Sequence, residues 1–109
     1  MFSRIKFILT GRKQKTIKLH GGLLSTGTIY TRNVNVEGLR KGDFAYIIET
    51  SDAVGVKRPM KVKSGNLNIW IGEITKGNVQ ILYTVDPKCQ TKGIGISNTK
   101  LTLEFIAVI

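Results

Sequence analysis

A chain of 109 residues with a formal net charge of +10 is one domain with a single modest core, too small to add a lobe that closes over a substrate. Apolar content is ordinary, glycine is frequent and proline is confined to Pro59 and Pro87, which excludes a disordered or collagen-like chain. The lone cysteine, Cys89, excludes an internal disulfide and fits a reducing or unspecialised compartment.

Period-2 alternation and β-branched residues dominate the chain, and no window carries a helical repeat. Ile5, Phe7 and Leu9 alternate with Lys6 and Ile8. "GRKQK" then reads as a turn, and Ile17 and Leu19 alternate with Lys18 and His20 up to Gly21-Gly22. These segments predict a basic N-terminal β-hairpin or arm over residues 1–24, ahead of a sandwich body over residues 25–109. In the body, strands are expected from Thr28 to Val36 and from Asp43 to Thr50. The second is apolar on both faces, Phe44, Tyr46 and Ile48 against Ala45 and Ile47, as a central strand is. "SDAVGVKRPMKVKSGN" predicts a short strand pair or an irregular crossing, with Pro59 at an edge. Leu67, Ile69 and Ile71, a turn at "EITKGN", and Val79, Ile81, Tyr83 and Val85 predict a hairpin. "DPKCQTKGIGISN" is expected to be a long loop, and "KLTLEFIAVI" a closing strand paired within a sheet. About seven or eight strands, spaced roughly ten residues apart, predict an all-β chain: a seven- to eight-stranded antiparallel β-sandwich, jelly-roll or immunoglobulin-like, or a small barrel.

Charge is unevenly spread. Arg4, Lys6, Arg12, Lys13, Lys15, Lys18 and Arg32 all precede the first acid, Glu37, whereas the rest of the chain sets ten basic residues against seven acidic ones. A basic end on a nearly balanced body predicts a polyanionic partner, nucleic acid or an acidic protein surface, against the plainer reading of a solvated face. No segment approaches the roughly 18 apolar residues of a membrane span, and "MFSRIKFILT" interleaves its charges with apolar residues where a secretory signal would place them first. A soluble protein without a membrane partner is expected.

Catalysis near neutral pH calls for a titratable group with a partner. One histidine, His20, one cysteine, Cys89, and seven scattered acids offer no such pairing, so no catalytic residue, metal ligand or cofactor is expected. Glu37 and Asp43 flank one turn, where a carboxylate more often accepts hydrogen bonds from the turn's own amides than shares a cation. Small β-barrels bind single-stranded nucleic acid through a basic groove and aromatic platforms. The cations exist in Arg12, Lys13, Lys15 and Lys18 and again in Lys57, Arg58, Lys61 and Lys63. Among the aromatics, Trp70 and Tyr83 stand out, because Trp70 lies on the face opposite Leu67, Ile69 and Ile71. That face is an interface in one reading and the inner face of a two-sheet protein in the other.

The stretch "VNVEGLRKGDF" places Leu39 inside a polar turn between Gly38 and Gly42. Two readings stand: a plug folded over the sandwich end, or a loop tip that touches a partner. Together with "AVGVKRPMKVKSGNLNIWI", "GNVQILYTV" and the terminal "LEFIAVI", this stretch resembles a plan found in small β-sandwich virion structural proteins of tailed bacteriophages, capsid-decorating or tail-associated. The likeness covers roughly residues 25–109 and rests on Val34, Val36, Gly38, Leu39, Gly42, Asp43, Val62, Asn66, Leu67 and Ile69. The basic hairpin and the long "DPKCQTKGIGISN" loop are additions to that plan. The resemblance implies a non-enzymatic homo-oligomeric protein, made in the host cytoplasm and carried in the virion. It would decorate a capsid or tail in many copies, with the basic arm as anchor. The expected partner-binding residues are Arg12, Lys13, Lys15, Lys18, Leu39, Arg40, Lys41 and Trp70. The alternative expectation is a small β-barrel that binds single-stranded nucleic acid.

Overall fold

The computed structural model of the protein describes residues 13–19, 22–51, 55–64, 66–86, 94–96 and 99–108. The first arm of the expected hairpin, Arg12, His20 and Cys89 lie outside them. Among the described residues there are nine strands and no helix: β1 (Lys13–Lys18), β2 (Gly22–Leu24), β3 (Ile29–Asn35), β4 (Phe44–Thr50), β5 (Lys61–Ser64), β6 (Leu67–Thr75), β7 (Asn78–Val85), β8 (Ile94–Ile96) and β9 (Lys100–Ile106). Seven form two antiparallel sheets, ordered β1-β9-β4 and β3-β7-β6-β5, and β2 pairs with β8 in a small ribbon. A parallel bridge between Thr26 and Val85 ties the chain after β2 to the four-stranded sheet. The expected all-β antiparallel architecture is therefore present, as two sheets layered on one core.

Alternation builds that core. Val79, Ile81, Tyr83 and Val85 of β7 and Leu67, Ile69 and Ile71 of β6 face inward, opposite Leu101, Leu103 and Phe105 of β9 and Ala45 and Ile47 of β4. Burying each large aliphatic side chain contributes about 1.5–3 kcal/mol. The β6–β7 register is continuous except at a bulge between Ile71 and Ile74, where an extra residue lets the strand bend.

Four expectations are corrected. Lys13, Gln14 and Lys15, read as part of a turn, lie in β1, where they pair with Phe105, Glu104 and Leu103. Pairing along β9 outweighs the weak local strand propensity of "KQK", so these residues lie in the same sheet as β9. β4, read as central, lies at one end of its sheet among the described strands, and β9 lies between it and β1; the second apolar face of β4 points away from the core. The "EITKGN" turn shrinks to Lys76-Gly77, because β6 continues to Thr75. The predicted long loop contains β8, which answers β2.

The two flanks of the sandwich close differently. On one, the chain before β5 passes between the sheets: the Ile47 N–H donates to the Pro59 carbonyl (2.8 Å) and the Ile71 N–H to the Met60 carbonyl (3.0 Å). Across the other, between β1 and β3, Lys15 Nζ donates to the Asn35 carbonyl (2.7 Å) and Lys13 Nζ to the Glu37 carbonyl (3.4 Å).

One end is closed by the turn from β3 to β4. Leu39 is only 1% exposed and belongs to the core cluster. Gly38 (φ 89°) and Gly42 (φ 97°) adopt the left-handed conformation on either side of it, which a side chain would strain. The Leu39 carbonyl accepts from the Gly77 N–H (2.8 Å), and the Gly77 carbonyl accepts from the Val36 N–H (2.9 Å). Leu39 is a plug. Leu39→Ala is expected to cost about 2–5 kcal/mol, whereas Lys41→Ala on the same turn should stay within about 0.5 kcal/mol. Urea midpoints of the two variants at unchanged m-value check this; equal midpoints would remove the plug.

Candidate functional site

The expected partner-binding residues do not form one surface. Leu39 is excluded by its burial, since a side chain enclosed in the core has no atoms to offer a partner. Lys13 and Lys15 are committed to the flank: their ammonium groups satisfy the carbonyls of Glu37 and Asn35 across a shallow open cleft lined by Lys13, Lys15, Asn35, Val36 and Glu37. Lys18, on the same strand, is exposed. Tyr83, singled out beside Trp70, is core; it is 2% exposed, and its ring stacks on Tyr30 at 5.6 Å between centroids.

Arg40 and Lys41 remain exposed on the turn, and the turn is held rigidly beneath them. The carboxylate of Asp43, itself buried, accepts the Arg40 N–H on Oδ2 (2.9 Å) and the Val108 N–H on Oδ1 (3.0 Å). The Asp43 N–H donates to the Arg40 carbonyl (3.1 Å). Arg40 Nη2 lies 3.4 Å from the Val108 carbonyl. Asp43 thus serves one amide of its own turn, as the sequence suggests for a carboxylate there, and a second beyond the end of β9.

Beside this turn lies a surface the sequence reading did not assign. Phe44 is 49% exposed and Val108 43%. Phe44 is cross-strand from Ile106 and two residues from Tyr46, with which it stacks at 6.2 Å and an interplanar angle of 22°. Phe44, Tyr46, Ile106 and Val108 therefore make an aromatic and aliphatic patch at the end of the three-stranded sheet, rimmed by Arg40 and Lys41. Farther along the same outward face, Glu104 stands in register between Gln14 and Tyr46 and is buried, accepting a long bond from Gln14 Nε2 (3.5 Å). The signal for the patch was present in the second apolar face of β4, which reads equally as core until Ala45 and Ile47 are seen to be the face that meets the second sheet.

Trp70 lies on the outer face of the four-stranded sheet, half-buried, across from Lys61 on β5 and Leu82 on β7. The face opposite Leu67, Ile69 and Ile71 is the outward one. Among the described residues no three His, Cys, Asp or Glu side chains converge as metal ligands would.

Comparison with protein families, curated proteins and solved structures finds no match to this chain.

The patch is a surface feature of the fold, and its removal should be tolerated. Phe44→Ser is expected to cost at most about 1.5 kcal/mol, the stacking contribution of one aromatic pair, and to lower self-association at high concentration. Denaturant unfolding and light scattering measure both; a loss comparable to that of Leu39→Ala would return Phe44 to the core.

Proposed function

We propose that the chain is a non-enzymatic virion structural protein that docks in many copies on a capsid or tail surface, as its resemblance to phage decoration proteins implies. The observation that carries this reading is the Phe44, Tyr46, Ile106 and Val108 patch rimmed by Arg40 and Lys41. Aromatic residues and arginine are enriched at protein interfaces, with an apolar centre and a polar rim. A net charge of +10 favours an acidic partner surface and speeds encounter with it.

Each element has a part in this reading. The two sheets are a stiff body, and the Asp43-braced turn presents Arg40 and Lys41 at fixed height beside the patch. Lys18, with Arg12 and the basic residues before it, supplies a second anchor in the same electrostatic sense. The order β3-β7-β6-β5 is a meander, β5 to β7, whose last strand lies beside an earlier one. A meander whose last strand lies beside an earlier one supports a sandwich of the jelly-roll or immunoglobulin-like kind.

The test is composition of particles. Tailed particles purified from cells that make this chain should contain it in many copies by quantitative mass spectrometry against the major shell protein. A Phe44→Ala/Tyr46→Ala double variant should lose occupancy by roughly 30-fold at limiting concentration, the effect of removing a hot spot of about 2 kcal/mol. Recovery of the chain wholly in the soluble fraction, with none on particles, would sink the proposal.

A further inference from the structure

Across the outer face of the four-stranded sheet one row of residues runs Lys61, Trp70, Leu82, Thr31, each in register with the next. Lys61 Nζ stands 6.0 Å from the centroid of the Trp70 ring, a cation–π distance. The neighbouring row places Asn68 and Thr84 beside them, cross-strand from each other. Lys57 and Arg58, both exposed, precede β5 on the flank beside this face, where residues 59 and 60 cross from β4 to β6. Lys63, two residues along β5 from Lys61, is paired with Asp86 Oδ2 at 2.7 Å. Lys57, Arg58 and Lys61 are therefore the cations that chiefly give this edge its charge.

From this juxtaposition we infer that the outer face of β5, β6 and β7 binds single-stranded nucleic acid, with a base stacked at Trp70 and phosphates along Lys57, Arg58 and Lys61. The choice of ligand follows from the pairing of the two groups. An acidic protein would use the cations without needing the indole, and a neutral sugar would use the indole without needing the cations. A polyanion that carries planar rings uses both, and stacking platforms beside a basic track are how sequence-tolerant single-strand binders are built. Stacking on an indole reads the π-face that every base has, so the site is indifferent to sequence. This site is on a different sheet from the Phe44 patch and does not depend on the docking reading.

Trp70 is the chain's only tryptophan, so its fluorescence reports on the site directly. The full chain is titrated with a fluorescein-labelled oligothymidylate of about 16 nucleotides, the upper end of the length scale of such sites, at roughly physiological salt. Expected are quenching of Trp70 that follows the same isotherm as the anisotropy, and a loss of affinity of roughly 5- to 150-fold in Trp70→Ala, the range for one stacked base. Trp70→Phe keeps a ring and should retain most of the binding, which separates stacking from misfolding. Lys61→Gln should reduce the log–log salt slope by about 0.7. Heparin, a polyanion without bases, should compete but leave the indole unquenched. Phe44→Ala should bind the oligonucleotide as the unaltered chain does, so the two surfaces are decided separately. The inference is overturned if the oligonucleotide leaves Trp70 unquenched, if Trp70→Ala binds it unchanged, if heparin quenches equally, or if a neutral oligosaccharide quenches where the oligonucleotide does not.

Discussion

The carboxylate of Asp43 holds together three parts of the chain that the fold requires to meet. One oxygen takes the Arg40 amide and the other the Val108 amide, so the crossing from β3 to β4 is tied to the end of the central strand β9. A buried carboxylate that accepts charge-assisted bonds of this kind contributes about 1.5–3 kcal/mol per bond, and leaving its partners without it costs more than the mean. The position of Leu39 depends on this brace. With the turn held at both sheets, by Asp43 on one side and by the Gly77 amide on the other, the leucine points into the end of the core. The same brace puts Arg40 and Lys41 outward. One interaction therefore sorts a hydrophobic residue and two cations, adjacent in sequence, to opposite sides of the surface.

Much of the architecture was legible because alternation is a local signal. The strict period of Val79, Ile81, Tyr83 and Val85, and of Leu67, Ile69 and Ile71, leaves one way to bury those side chains. What was not legible depends on partners distant in sequence. β4 is apolar on both faces, and only the packing of Ala45 and Ile47 against the second sheet shows that Phe44 and Tyr46 face outward. Lys13-Gln14-Lys15 has the composition of a turn and becomes a strand because β9 offers it a ladder. The role of Lys15 is hidden for the same reason: nothing near it in the chain announces that the Asn35 carbonyl will stand opposite. For the candidate surfaces, Arg40, Lys41 and Trp70 could be singled out by type and spacing. The aliphatic half of the patch, Ile106 and Val108, could not, since a closing strand rich in such residues reads as core throughout.

Charge and shape divide the described surface into faces with different chemistry. The end of the three-stranded sheet joins exposed rings and aliphatic groups to two cations on a braced turn. The outer side of the four-stranded sheet carries a single indole among amides, hydroxyls and the aliphatic Leu82 and Ile29, with a basic margin along β5. Two flat sheets back to back give a small protein two independent surfaces without a second domain, because each sheet needs only its inner face to form the core.

The two flanks differ in what their closure is made of. Where residues 59 and 60 pass between the sheets, main-chain groups do the holding, and no side-chain replacement short of proline can take a backbone amide away. Across the other flank two lysine side chains span the gap, and each is one codon change from being lost. The molecule is bound like a book, sewn along its spine and clasped at the fore-edge. A substitution at Lys13 or Lys15 retunes how tightly the layers shut at the clasp without disturbing the stitching.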